Sequence, residues 1–336
     1  MGRMRDKWIG AGVLALLLLL VIGYPLIREG NDDDRLSVRL GAAEDLINSL
    51  VWIAADQGFF EARGVDVRLQ EYRSGKRALR GLLEGRVELV TTSEVPFMKA
   101  LQEHPDLRLL ATVGTTDNEI HVVARRDRGI SEPKDLVGRR IGTQRASAVH
   151  FFLSSFLLQH YIPASAVELR FMRAEQLPGA LAAGEIDAFS MREPYIHQAR
   201  QLLGERLVLF SEPGLYRKTF NLVATREFAA ANPELLRRFL AGLLQAENFV
   251  YRHPERAQRI LARIRGLTPG EVAAVWDSYT FSVLLDQDLL LQLQQEEQWL
   301  ESELGIPRQR RPLSSYVDQE PMRRVAPERN GIIAEG

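Results

Sequence analysis

Three short loops, AEDLINS (43–49), YRSG (72–75) and TTSEVP (91–96), carry residues suited to gripping a small polar solute. They supply Asp45, Asn48, Ser49, Arg73, Ser74, Gly75, Thr92, Ser93 and Glu94. Each loop runs into a predicted helix, whose first N–H groups lack intrahelical acceptors and whose dipole adds positive potential. Such a start holds an anion without covalent chemistry. Two further starts lie downstream: Ser147, beside Arg145 and Ala146, and Pro194, beside Arg192 and Glu193. An arginine placed there pairs a carboxylate or sulfonate in two-pronged fashion. A plainer reading stands beside each residue. Asn48, Ser74 and Ser147 are good helix caps, Arg73 and Arg145 suit a solvated surface, and Trp52 and Tyr72 suit core packing as well as ligand stacking. Glu94 and Glu193 would repel a bare anion if they faced it, which favours a zwitterion or polar heterocycle unless arginines neutralise them.

Catalytic and metal chemistry find less support. The chain has no cysteine, which removes disulfides, thiolate metal sites and a cysteine nucleophile together. Its six histidines show no metal-ligand spacing. His150 and His160 share a predicted helix, but ten positions separate them too widely for one ion. No metal and no cofactor are expected.

The elements that position the loops follow from periodicity. SVRLGAA, VDVRLQEY and VELVTT read as strands, separated by helices NSLVWIAADQGFFEARG and SGKRALRGLLEG. Strands alternating with helices specify a parallel sheet with helices on its faces, and ligands bind beyond the carboxyl ends of such strands. VPFMKALQEH predicts a helix starting near Pro96, followed by strands LRLLATVGT and NEIHVVARR. RRDRGISEPKDLVGRR marks entry into a second domain with the same logic: strands RIGTQ, VELRFM, IDAFSM and LVLF alternate with helices. From Arg226 the pattern is helical, with Asn232 and Thr268 as predicted caps. On composition alone the last 30 residues would pass for a disordered tail.

At 336 residues with net charge −1, 46% hydrophobic and 26% charged, the chain can hold two domains and lacks the basic excess a nucleic-acid partner requires. Basic Arg3, Arg5 and Lys7 precede about 20 largely apolar residues, Trp8 to Ile27, enough to span a bilayer. That order predicts a cytoplasmic amino terminus and an exported remainder. The run exceeds a usual signal-peptide core and no A-x-A site follows, which favours an uncleaved anchor over a cleaved leader. GNDDDR (30–35) reads as a solvated tether.

The words SLVWIAADQGFFEARGVDVRL, ALRGLLEGRVELV, SEPKDLVGRRIGTQRAS and ALAAGEIDAFSMREPYI, in that order, resemble the substrate-binding proteins of nitrate/sulfonate/taurine-type ABC importers, in the SsuA/THI5-like (NMT1/THI5) group. The resemblance runs from Ser37 to Ile333 and includes SSYVDQEPMRRVAPERNGI, so it implies an ordered tail. It implies an α/β, type II periplasmic-binding-protein fold: two Rossmann-like lobes joined by two crossing segments, EIHVVA outward and NLVATR back. Residues 1–30 would be the anchor or signal segment, 36–122 with 223–333 the first lobe, and 123–222 the second. The fourteen residues from Asp45 to Glu193 match the family's ligand loops by position and are carried over as substrate-binding candidates. The implied function is capture of a small polar or anionic organic solute on the periplasmic side of the bacterial inner membrane, by a monomer serving an ABC permease and ATPase. A tethered sensor docking on a membrane signalling protein is the alternative. A biosynthetic enzyme on the same fold is disfavoured, because the pyrimidine synthases' cysteine-rich iron motif has no counterpart here.

Overall fold

The computed structural model describes residues 35–333. The predicted anchor segment lies outside them. Among the described residues, no helix is long and apolar enough to cross a membrane.

In chain order come β1 (Leu36–Ala43), α1 (Ser49–Asp56), β2 (Val65–Tyr72), α2 (Gly75–Leu83), β3 (Leu89–Ser93), α3 (Glu94–Ala100) and β4 (Leu107–Thr116). They are followed by β5 (His121–Arg125), β6 (Arg140–Thr143), α4 (Ala148–Gln159), β7 (Glu168–Phe171), α5 (Leu177–Ala183), β8 (Ala188–Met191), α6 (Tyr195–Leu203) and β9 (Leu207–Phe210). β10 (Lys218–Thr225) leads into α7 (Arg226–Ala231), α8 (Pro233–Arg252), α9 (Pro254–Arg265) and α10 (Pro269–Trp276). The short β11 (Tyr279–Thr280), α11 (Gln287–Leu304) and α12 (Glu320–Val325) complete the chain.

The strands form two sheets, ordered β11-β4-β10-β3-β1-β2 and β7-β6-β8-β5-β9. β1 is parallel to β3, whereas β10 runs antiparallel to both β3 and β4. In the second sheet β6 is parallel to β7 and β8, and β5 runs antiparallel to β8 and β9. Sheet membership changes between Thr116 and His121 and again between Phe210 and Lys218. The runs EIHVVA and NLVATR therefore each belong to one sheet, and the crossings are the short segments before them.

Central strands are covered on both faces and read as near-continuous apolar runs. All ten residues of β4 are buried, and so are all five of β3. Edge strand β2 alternates instead, with Val67 and Leu69 half-buried and Arg68 and Gln70 exposed. The helix predicted from Asn48 to Gly64 ends early, at Asp56. Gly58 takes a left-handed backbone (φ 68), which helical residues do not adopt, and the chain continues as a turn and one 3-10 helix. Thr268 caps α10 in a reciprocal box with Glu271. Asn232 stands at the N-cap of α8, but its amide donates to the Phe228 carbonyl instead. The tail is ordered: Val317 bridges Leu109 of β4, and Leu313, Tyr316, Met322 and Ile332 are buried.

Candidate ligand-binding cleft

Beyond the carboxyl ends of β3 and β8 a narrow cleft, partly open to solvent, lies between the two sheet-bearing halves. Asp45, Ser74, Gly75, Lys76, Ser93 and Pro96 line it from the first half, and Gln144, Ser147, Ala148, Val149 and Arg192 from the second. Lys218 and Phe220, from the start of β10, form its floor. The starts of α2 and α4 therefore both reach it. At α2 the Ser74 hydroxyl accepts from the Arg77 N–H (3.4 Å), leaving the N–H groups of Gly75 and Lys76 without an acceptor among the described residues. At α4 the Ser147 hydroxyl does not cap. It donates to the Gln144 carbonyl (2.6 Å), so the N–H groups of Ala148 and Val149 are likewise unclaimed.

Local sequence makes this approach possible. A Cβ at position 75 would fall 2.7 Å from Thr92 Cα and 3.0 Å from the Phe220 ring, so only glycine lets α2 start this close to β3. Ala146 holds a left-handed backbone (φ 49), an uncommon state for a residue with a Cβ, directly before the α4 start.

Charge in the cleft is almost balanced. Arg192 donates to both Asp45 oxygens, with contacts of 2.9–3.2 Å, and stands 3.3 Å from Glu119. Lys218 donates to the other Glu119 oxygen at 2.7 Å. Burial alone would lower the proton affinity of Arg192, but the Asp45 and Glu119 carboxylates outweigh it and raise that affinity above the ordinary value. Lys76 is different. Its ammonium donates to the Arg145 carbonyl (3.0 Å) and has no carboxylate in ion-pair range among the described residues. The residue as a whole is exposed, yet burial of its amine, then Lys99 and Arg80, lower its pKa. Three cations against two carboxylates leave one positive charge beside four free amide N–H groups.

Several of these contacts join the two halves. Asp45–Arg192 does so, as do Arg77–Glu175 (2.8 Å) and the Lys76–Arg145 hydrogen bond. Trp299 of α11 packs edge-on against His150 and Phe151 of α4, with ring centres 4.9 and 5.3 Å apart. Behind Ser93 lies a second buried cluster. Glu94 accepts from the Tyr216 hydroxyl (2.6 Å) and the Thr219 N–H (3.1 Å), and one oxygen of Glu94 and one of Glu296 have no hydrogen-bond partner. Burial, and then the Glu94 charge, push the Glu296 carboxyl well above the usual range.

A family model for NMT1/THI5-like proteins matches residues 49–257. The chain belongs to the NMT1/THI5-like family. A taurine-binding periplasmic protein of Escherichia coli is 24% identical over 236 residues, covering 68% of this chain and 72% of the relative. The alkanesulfonate-binding protein SsuA of Xanthomonas axonopodis pv. citri, solved bound to MOPS, superposes with a TM-score of 0.72 at 21% identity over 85% of this chain and 99% of its own. The fold is that of a periplasmic binding protein. The desulfurization enzyme DSZB shares it (TM-score 0.61, 17% identity, 88% and 99% coverage), so the fold itself also carries catalysts.

In this NMT1/THI5-like protein, Asp45, Ser74, Gly75, Ser93, Ser147 and Arg192 of the fourteen predicted residues gather at the cleft. The other eight do not line it. Asn48 and Ser49 are fully buried, donating to the carbonyls of Ala43 and Leu46, and Thr92 is buried in β3. Glu94 is buried behind the cleft, Ala146 is buried beside it, and Glu193 is exposed and accepts from the His197 N–H. Arg73 is exposed, 3.6 Å from Glu175, and Arg145 lies over the Phe171 ring. Trp52 donates to the Ala43 carbonyl under Arg265, and Tyr72 packs below Gly81; neither lines the cleft. His150 lies among aromatic rings and His160 pairs with Glu212. Among the described residues no group of side chains could hold a metal.

Lys76, Gln144, Ala148, Val149, Lys218 and Phe220 are cleft residues that the sequence reading missed. Lys76 and Val149 had a signal, since each stands second in a helix whose start was already singled out. Lys218 and Phe220 had none, because only the sheet order brings β10 beside β3.

Proposed function

We propose that this protein binds a small organic monoanion of the sulfonate class between its two halves, unaltered and reversibly, and presents it to an ABC importer from the periplasmic face of the membrane. The observation that carries this reading is the lone uncompensated ammonium of Lys76, set between two helix starts whose first amides are free. A sulfonate spreads one charge over three acceptor oxygens, which suits several N–H donors and a single cation. The acids that pointed the sequence reading toward a zwitterion are not in the cleft: Glu94 is buried behind it and Glu193 faces solvent. Asp45 does line it, but Arg192 already holds that carboxylate. The binding functions printed for the taurine and alkanesulfonate relatives support the same class. We assign the apolar run Trp8–Ile27 the role of anchor, on the strength of its length and basic flank.

Isothermal titration with ethanesulfonate, taurine, nitrate and a neutral sulfone of similar size tests the proposal. Ethanesulfonate should bind and the sulfone should not. Lys76→Gln should weaken sulfonate binding about 10–100-fold, the worth of a charge-assisted hydrogen bond, while the empty protein melts nearly unchanged. Affinity should fall as pH rises toward the lowered Lys76 pKa, because a neutral amine offers no counter-charge. Binding of the neutral sulfone as tightly as the sulfonate would refute the assignment.

A further inference from the structure

One peptide group beside the cleft is held at both ends. Its carbonyl, on Arg145, accepts from the Lys76 ammonium (3.0 Å), and its N–H, on Ala146, donates to His150 Nδ1 (3.4 Å). Lys76 belongs to α2 of the first half, whereas Arg145, Ala146 and His150 belong to the turn before α4 and the first turn of that helix. A single planar amide therefore connects the uncompensated cation of the cleft to an imidazole in the opposite half.

The turn is not one that alanine adopts unaided. Ala146 holds φ 49, and rotating the Arg145–Ala146 peptide by half a turn would bring it to negative φ, the state a residue with a Cβ prefers. The same rotation would swing the Arg145 carbonyl away from Lys76 and turn an N–H toward the ammonium. The hydrogen bond to His150 opposes it, because only the present orientation aims the Ala146 N–H at the ring.

His150 is suited to accept. It is 1% exposed and packs edge-on against Phe171 and Trp299, with ring centres 5.1 and 4.9 Å away. Accepting at Nδ1 places the ring proton on Nε2, which is buried with no hydrogen-bond partner among the described residues. Burial, and then Arg145 and Lys76, lower its pKa to about 4, so the ring is neutral at neutral pH and its Nδ1 lone pair is available. Arg145 and Lys76 are the charged groups that face it, from its own turn and from α2; β7 and α11 present the rings of Phe171 and Trp299.

We propose that His150 is a positioning residue of the sulfonate site: as an acceptor it fixes the Arg145–Ala146 peptide, whose carbonyl holds the Lys76 ammonium at the cleft. The proposal rests on the sulfonate reading of that cleft. His150 does not line it and acts only through the peptide.

The test measures ethanesulfonate affinity of the full chain by isothermal titration, beside melting temperature. His150→Leu suits the apolar surroundings but offers no acceptor. His150→Asn is more polar, but its amide oxygen stands near the place of Nδ1 and can accept. His150→Leu should bind about tenfold more weakly and His150→Asn within about threefold of the parent, although the leucine variant should melt at the higher temperature. Packing alone predicts the reverse order of affinity, and that order would overturn the proposal. Added to Lys76→Gln, His150→Leu should weaken binding little further, because both act through one amide; fully additive losses would count against it. Nitrogen NMR of the empty protein at neutral pH should show Nδ1 of His150 unprotonated and Nε2 protonated, and the opposite tautomer would overturn the proposal without any ligand. Unchanged binding in His150→Leu beside a loss in Lys76→Gln sinks this inference alone. Unchanged binding in Lys76→Gln removes the sulfonate reading and the inference with it.

Discussion

Two buried polar clusters flank the cleft, and they answer burial in opposite ways. In the Asp45–Arg192–Glu119–Lys218 cluster, opposite charges alternate, and the pairing raises the proton affinity of Arg192 despite desolvation. In the Glu94–Glu296–Tyr216 cluster, two carboxyl groups meet in the same depth of protein, and burial raises both. The first favours the charged form of Arg192, whereas in the second burial favours the protonated carboxyl. Burial alone therefore does not set the charge state; the sign of the neighbour does. The first cluster also spans the two halves, so it contributes to closure as well as to stability.

The sharpest way to break the contrast is Arg192→Ala. It strands the Asp45 carboxylate and removes one of two cations from Glu119. Loss of one partner from a buried pair typically costs about 3–5 kcal/mol. Urea unfolding should show a loss of this order, and small-angle scattering of the empty variant should show a larger radius of gyration as the halves part. Unchanged stability would mean the cluster is solvated and contributes little.

Glu296→Gln probes the other cluster. A carboxyl whose folded pKa is raised holds a proton that the unfolded chain releases, so it favours folding at low pH and that contribution is lost as pH rises through the raised value. Glutamine needs no proton and still offers a partner to Gln292, which now donates to Glu296 at 2.8 Å. The groups facing this site are Glu94, Tyr216, Lys218 and Gln292. The variant should match the parent near pH 5 and exceed it by about 1 kcal/mol or more near pH 8, with a flatter pH profile. A constant difference across that range would show that Glu296 does not carry the proton.

These clusters mark the boundary of what the sequence reveals. Alternating strand and helix periods located the sheets and the loops at Ser74, Ser93 and Ser147, because those signals are local in the chain. The loops' polar residues were legible as a group, but their directions were not. Asn48 and Ser49 have the same chemistry as Ser74, yet bend inward to carbonyls of their own loop. Lys218, Glu119, Glu296 and Tyr216 belong to no motif and become neighbours only through the crossings between sheets and the return of α11. Helix limits failed where one backbone dihedral decided them, as at Gly58.

The smallest expected effect comes from Tyr216→Phe, which separates a shared proton from a fixed charge. The Tyr216 hydroxyl donates to Glu94 at 2.6 Å, while its ring packs edge-on against Phe151 at 5.0 Å, a contact that phenylalanine keeps. Removing one hydrogen bond of this kind costs about 1 kcal/mol. That bond also opposes the upward push of burial on Glu94, so its loss should drive the carboxyl further up. The destabilisation should therefore be smaller at pH 5 than at pH 8, because protonation of Glu94 removes the charge that the parent's hydroxyl supports. Chemical denaturation of parent and variant at both pH values measures the difference. Equal costs at the two would mean that the charge on Glu94 does not change over this interval, and that the two clusters differ less than their neighbours' signs imply.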